Sequence, residues 1–373
     1  MATAWEELSA RSADTPAQAR ARWAPEGPVV GYVGADVPVE ALTAAGALGV
    51  RLRGIPGSDP STGDRYLGRG LDPAARALLS DLVGGAFEGL DAVVVSRDCE
   101  ASARLFYALR ELRRIEPETV PVPVHLVDVL HLPHRSTTRY VRTEIGRLRE
   151  VLGSWTGRTV DADALAKAIT AHDRLRSLLS RLSDLRRSRP ARLGGTHLLE
   201  AVAATTRMPV ERATELLEAV LADPAFLPGA EGVRVFATGS SHDTPAVYAE
   251  LERLGLLIAG EDHDWGELLS HRLVGGTTEA ALAERYQYNG PTSQRASIVR
   301  RAGHTAAAAR ACGAKALVCY VREHDNAPPW DFTAQREAAG LPAVLLDRQP
   351  HGGLTEEASS RAAALRETIA GSD

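Results

Sequence analysis

Cysteine is scarce in this chain. Cys99, Cys312 and Cys319 are the only three in 373 residues. They form no CxxC pair and no disulfide framework, which argues against a stapled secreted scaffold and suits a reducing cytoplasm. Lysine is rare beside abundant arginine, and the net charge is -5, so no basic footprint favours nucleic acid. No apolar run approaches the roughly 20 residues that span a bilayer. The opening MATAWEELSARSADTPAQARARW has early acidic residues and no apolar signal-peptide core. The expectation is a cytoplasmic protein without membrane or nucleic-acid partners, with residues 1–27 as an arm or helix. Walker A and G-x-G-x-x-G sequences are also missing. Ser240 and Ser241 lie in GSSHD, which is not the G-x-S-x-G elbow of a serine hydrolase.

What is present reads as an ordinary globular protein, with 44% apolar and 24% charged residues. The length suits two domains and an insertion. Short β-branched runs recur between helical patterns: Val29–Val33, Val50–Leu52, Ala92–Val95 and Val124–Val127, then Val233–Phe236, Leu256–Ile258, Ala316–Tyr320 and Ala343–Leu346. Buried strands of this length, each followed by a helix, predict an α/β fold with parallel sheets covered on both faces. The middle has no convincing strand. Tyr140, Ile145, Leu148, Leu152 and Trp155 recur at helical spacing, and Leu165 to Leu182 continue the pattern after Asp161, a good N-cap. Pro190 and Gly194–Gly195 break the run, and Met208–Pro209 opens a further helix to about Leu221. The basic stretch Arg181–Arg192 reads as a solvated helix face. The expected organisation is a first α/β lobe over 28–135, a helical domain over 136–230 and a second α/β lobe over 231–373.

The lobes look duplicated. VVGYVGADVPVEALTAAGALGVRLRG and VRVFATGSSHDTPAVYAELERLGLLIAG both read strand, glycine loop, proline-headed helix, glycine, strand. Aligning LDAVVVSRDCEASARLFYALREL with AKALVCYVREHDNAPPWDFTAQRE sets Cys99 against His324. Ligands of open α/β sheets bind beyond the carboxyl ends of the strands. Four polar loops fall there: Ser96–Glu100, Gly239–Asp243, Glu261–Gly266 and Arg322–Asn326. Their thiol, imidazole and carboxylate groups are metal donors of a kind that suits iron or zinc. GADVPVE offers helix N-terminal amides to an anion, such as a coenzyme phosphate.

Several stretches resemble the 2-hydroxyacyl-CoA dehydratase/benzoyl-CoA reductase family, and its D-component in particular. They are VPVEALTAAGALGVRLRG, VVVSRDCEASARL, TTRYVRTEIGRLREVLGSWTGRTVDADALAKAI, LAERYQYNGPTSQRASIVRR, LPAVLLDRQ and GGLTEEASSRAAALRE. The resemblance runs from about Pro28 to Glu367. It implies two flavodoxin-like (Rossmann-like) lobes flanking a helical domain, a homo- or heterodimer, and an ATP-dependent iron–sulfur activator as partner. It also implies a [4Fe-4S] cluster held by three cysteines, and lyase or reductase chemistry on an acyl-CoA. Matched to the family's ligand positions, the first cysteine is Cys99, the second is Asp264 and the third is His324. Cys319 lies inside a strand and reads as core, and Cys312 has no counterpart. The expectation is an iron-dependent subunit acting in the cleft between the lobes. Cys99, Asp264 and His324 would hold a cluster or a single Fe or Zn ion, His242 and His263 would serve as acid/base groups, and Ser240 and Ser241 would hydrogen-bond a substrate carbonyl or hydroxyl. Two alternatives stand beside it: a non-catalytic companion subunit that binds no metal, and a repurposed mononuclear-metal enzyme.

Overall fold

A computed structural model describes residues 3–292 and 295–371. Residues 1–2 of the expected arm, Ser293 and Gln294 of the family-like stretch LAERYQYNGPTSQRASIVRR, and residues 372–373 lie outside the described residues. Two short helices come first, α1 (Ala4–Ser9) and α2 (Pro16–Trp23). Each starts with a capping box, Thr3 with Glu6 and Thr15 with Gln18, so the first-turn amides have partners despite the helices' shortness.

The first lobe runs β1 (Val29–Val33), α3 (Val39–Ala44), β2 (Leu48–Arg51), α4 (Ser61–Leu67), α5 (Pro73–Val83), β3 (Ala92–Ser96), α6 (Glu100–Ile115) and β4 (Val124–Val127). Its sheet is parallel throughout, in the order β2-β1-β3-β4. β1 and β3 are buried along their whole length, which is why they read as unbroken apolar runs rather than alternating ones.

Four helices follow: α7 (Arg135–Thr156), α8 (Ala162–Asp184), α9 (Gly195–Thr205) and α10 (Val210–Ala222). Asp161 caps α8 as expected, accepting from the Ala164 amide at 2.8 Å. The chain does not stay broken after Gly194–Gly195, because α9 starts there. Its cap is distant: the Glu252 carboxylate accepts from the Gly195 amide at 2.6 Å and from Thr196. A Cβ on Gly195 would lie 2.5 Å from that of Ile258, so glycine lets the helix seat against the second sheet. The basic stretch is not wholly solvated either. Arg186 is fully buried, drawn in by Glu261 and Glu267.

The second lobe runs β5 (Val233–Gly239), α11 (Ala246–Arg253), β6 (Leu256–Glu261), α12 (Glu279–Gln287), α13 (Ile298–Ala311), β7 (Ala316–Arg322), α14 (Pro328–Ala339), β8 (Ala343–Gln349) and α15 (Glu356–Ala370). Its order, β6-β5-β7-β8, repeats that of the first sheet. The two sheets bear out the α/β class and the two-lobed architecture. Helix α12 crosses back: Leu282, Ala283 and Tyr286 join the core of the first sheet with Val30, Val94, Ile145 and Leu148. Among the described residues, no helix is long and apolar enough to cross a membrane.

Candidate functional site between the lobes

The carboxyl ends of both sheets face one cavity of about 390 Å³. Cys99, Asp264 and His324 all line it, as do Ser240, Ser241 and His263. His242 does not. Its ring is buried between Tyr248 and Tyr320, each 4.6 Å away centre to centre, and burial with neighbouring His263 keeps it neutral far below its ordinary range. His263 reaches the cavity wall with both nitrogens committed. The Trp265 amide donates to Nδ1 at 3.3 Å, so Nε2 carries the proton and donates to the Tyr248 hydroxyl at 2.9 Å. Burial lowers its pKa to about 4. In this arrangement neither imidazole offers the cavity a free nitrogen for proton transfer.

Cys99 is the N-cap of α6. Its Sγ accepts from the Ser102 amide at 3.4 Å, while the Ser102 hydroxyl donates to Asp98 at 2.7 Å. Burial and the charge of Asp98 push the thiol up to about 12. Asp98 also accepts from the Ala35 amide at 2.8 Å, Ser96 Oγ accepts from Asp36 at 3.3 Å, and the Val39 amide is bonded to Tyr286. Three of the amides after β1 that were expected to cradle an anion, those of Ala35, Asp36 and Val39, are therefore filled by the protein's own acceptors.

Asp264 is held from the other lobe. Arg51 Nη2 donates to its carboxylate at 2.7 Å and Nη1 to its carbonyl at 2.9 Å, and the Ser241 hydroxyl donates to the same carboxylate. Burial alone would raise this carboxyl; Arg51 and the Ser241 bond outweigh it and bring it to about 2. The Arg51 guanidinium lies 3.8 Å above the Trp265 ring. The reverse clamp comes from Arg322 of β7, which grips Asp72, the N-cap of α5, with Nε at 3.0 Å and Nη2 at 2.8 Å. Arg53 adds a third link across the cleft, to the Asp243 carbonyl at 2.6 Å. Ser240 donates to Asp325 at 2.6 Å and accepts from the Arg322 amide at 3.0 Å. His324 has a positive φ of 64° and is the most open of the three family ligand positions, its Nε2 3.6 Å from Glu323.

This donor set does not fit a [4Fe-4S] cluster. Thiolates are the usual ligands of such clusters, and one thiol lines the cavity. Cys319 is buried in β7 and Cys312 at the end of α13. The aspartate at the second position is already shared by an arginine and a serine. Among the described residues, no three His, Cys, Asp or Glu side chains are placed to hold a metal ion. Sequence reasoning missed the arginines that organise the cleft. Arg322 and Asp98 stood in the strand-end loops already singled out; Arg51, Asp72 and Arg295, which lines the cavity and pairs with Asp36 at 2.9 Å, carried no local signal, because their partners are remote in the chain.

A family model described as 2-hydroxyglutaryl-CoA dehydratase, D-component, matches residues 35–369. No curated protein matches the chain. Two solved structures of the SBP FpvC from Pseudomonas aeruginosa are similar to it. The Mn2+ complex has 14% identity, covers 93% of this chain and 100% of its own, and superposes with a TM-score of 0.24. The Ni2+ complex has 15% identity, 92% and 96% coverage, and a TM-score of 0.21.

Proposed function

The chain belongs to the 2-hydroxyglutaryl-CoA dehydratase D-component family, and from that premise we propose that it is a cluster-free companion subunit, paired with a family relative that carries the cluster cysteines. The observation that supports this reading is the pairing of Asp264 with Arg51. The second ligand position of the family is occupied by a carboxylate that bridges the lobes, 2.7 Å from a fully buried guanidinium. Freeing that carboxylate for a metal would leave the guanidinium buried and unpaired, a heavy penalty in a low-dielectric site. The group at this position ties the lobes together.

The three cross-lobe arginines then have a common role. Arg51 and Arg53 reach from the first lobe and Arg322 from the second, so the cleft is bridged from both sides. A companion subunit of this kind offers its relative a fixed surface, with its two lobes held in one relative position. No step of dehydration or reduction is assigned to this chain.

The test is anaerobic reconstitution with ferrous iron and sulfide, followed by metal and sulfide counts, alone and after co-expression with a cysteine-bearing relative. Iron and sulfide well below one cluster per chain, with a stable heterodimer whose metal follows the relative, is the expected result. A full cluster's complement on this chain alone would overturn the reading. So would one tightly held iron or zinc ion lost on changing Cys99, Asp264 or His324.

A further inference from the structure

A second cavity, of about 300 Å³, lies behind the first. It is enclosed by β1, β2, α3, α8 and α12 and by the segment joining α9 to α10, and it touches the cleft at Gly34 and Arg51. Much of its wall is apolar, from side chains such as Val37, Leu175, Leu179 and Met208. Ligand pockets of this size take a small organic molecule, with the few polar groups setting its orientation.

The polar groups here are unbalanced in one direction. Three lining residues carry buried side-chain nitrogens without an acceptor: Trp23 Nε1, Arg51 Nε and Arg285 Nε. No lining residue carries a buried acceptor without a donor. Arg285 is buried at 2% exposure and, unlike Arg51, has no carboxylate hydrogen-bonded to it among the described residues. It stacks on the Tyr286 ring, and among the described residues its side chain hydrogen-bonds only to the Leu269 carbonyl.

The carboxylates near Arg285, Glu40 and Asp36, are engaged elsewhere, Asp36 with Arg295 at 2.9 Å and with His131 at 2.8 Å. Glu40 gives one oxygen to Arg176 and the other to the Tyr286 hydroxyl. Asp173 accepts from Arg176 and from the Val274 and Gly275 amides. A buried guanidinium without a contact carboxylate is costly unless a ligand completes it.

We infer that this cavity is a binding site for an organic monocarboxylate with an apolar body, its carboxylate on Arg285 and its tail along Val37, Leu175 and Met208. The excess of unpaired donors calls for an acceptor-rich anion, and the walls call for an apolar remainder. The site does not depend on the companion-subunit reading, since none of its anchors is a cluster position.

The experiment uses the full chain with two probes of equal chain length, decanoate and decanol, in calorimetric titration at neutral pH. 2-Bromodecanoate, with its bromine beside the carboxylate, serves as a tryptophan quencher. The expected result is saturable decanoate binding, with decanol weaker by roughly tenfold or more. Quenching by the brominated probe should be largely lost in Trp23→Phe, and Arg285→Met should weaken decanoate to the level of decanol. If Arg285→Met fails to fold, the decanoate-to-decanol ratio and the Trp23→Phe comparison on folded protein decide alone. Equal binding of the two probes, no saturable binding, or quenching unchanged in Trp23→Phe would each overturn the site. Heterodimer formation and iron content, which test the companion-subunit reading, are separate readouts and do not move with these outcomes.

Discussion

Arg51 of the first lobe donates to both the carboxylate and the main-chain carbonyl of Asp264 in the second, 213 residues away in sequence. Arg51 is 1% exposed and Asp264 16%, so water screens the pair little. Removing the acid in Asp264→Ala should destabilise the protein by about 3 kcal/mol, because the guanidinium stays buried without its partner. The double variant Arg51→Met/Asp264→Ala should be hurt less than the sum of Arg51→Met and Asp264→Ala. Urea unfolding of the four proteins gives the coupling; a coupling indistinguishable from zero would mean that the pair does not join the lobes.

Arg322 makes the opposite clamp through a forked contact with Asp72, which also caps α5. Lysine keeps the charge and loses the fork. Arg322→Lys should therefore cost about 1–2 kcal/mol and raise amide exchange in the first turn of α5. Hydrogen exchange by mass spectrometry reads this directly, and unchanged protection around Ala74 would contradict it.

Two glycines should respond in opposite senses. Gly239 ends β5 with φ at 108°, and a Cβ there would lie 2.1 Å from the Tyr320 carbonyl oxygen, a backbone atom held in the sheet. Gly239→Ala should cost about 3 kcal/mol. Gly303 lies inside α13, and a Cβ there meets nothing within 4 Å. Gly303→Ala should stabilise by about 0.5–1 kcal/mol, since alanine loses less backbone freedom on forming a helix. Thermal unfolding midpoints moving in the same direction would contradict the local geometry.

Stability should fall on acidification in two stages, both traceable to one buried cluster. Burial lowers the His172 pKa from 6.5 to about 4, so the unfolded chain takes up a proton between those values and the folded chain does not. Stability is therefore lost as pH falls from 6.5 to 4. Burial would raise Glu40, but Arg176 outweighs it, with help from His172 and Arg285, and brings it from 4.5 to about 2. Its contribution is present above pH 4.5 and lost as pH falls from there towards 2. Asp173 on α8 and Tyr286 on α12 also face this group. His172→Gln should flatten the urea midpoint between pH 6.5 and 4 and leave the lower stage in place; an unaltered slope in the upper window would place the titration elsewhere.

The sequence by itself determined the α/β class, because eight apolar runs and their following helices are local signals that need no partner to be read. It also determined the Asp161 cap, where side chain and amide are three residues apart. The alignment of the duplicated halves brought Cys99 and His324 to strand ends that line one cavity. Only the tertiary structure decided the rest. Helix α9 starts on glycines because Glu252, 57 residues on, supplies its cap. Arg186 leaves the solvated face because two glutamates of the second lobe wait in the interior. Asp264 reads in sequence as a metal donor and turns out to be the counter-charge of Arg51. A carboxylate's chemistry is set by its nearest cation, and across the cleft that cation comes from the other half of the chain.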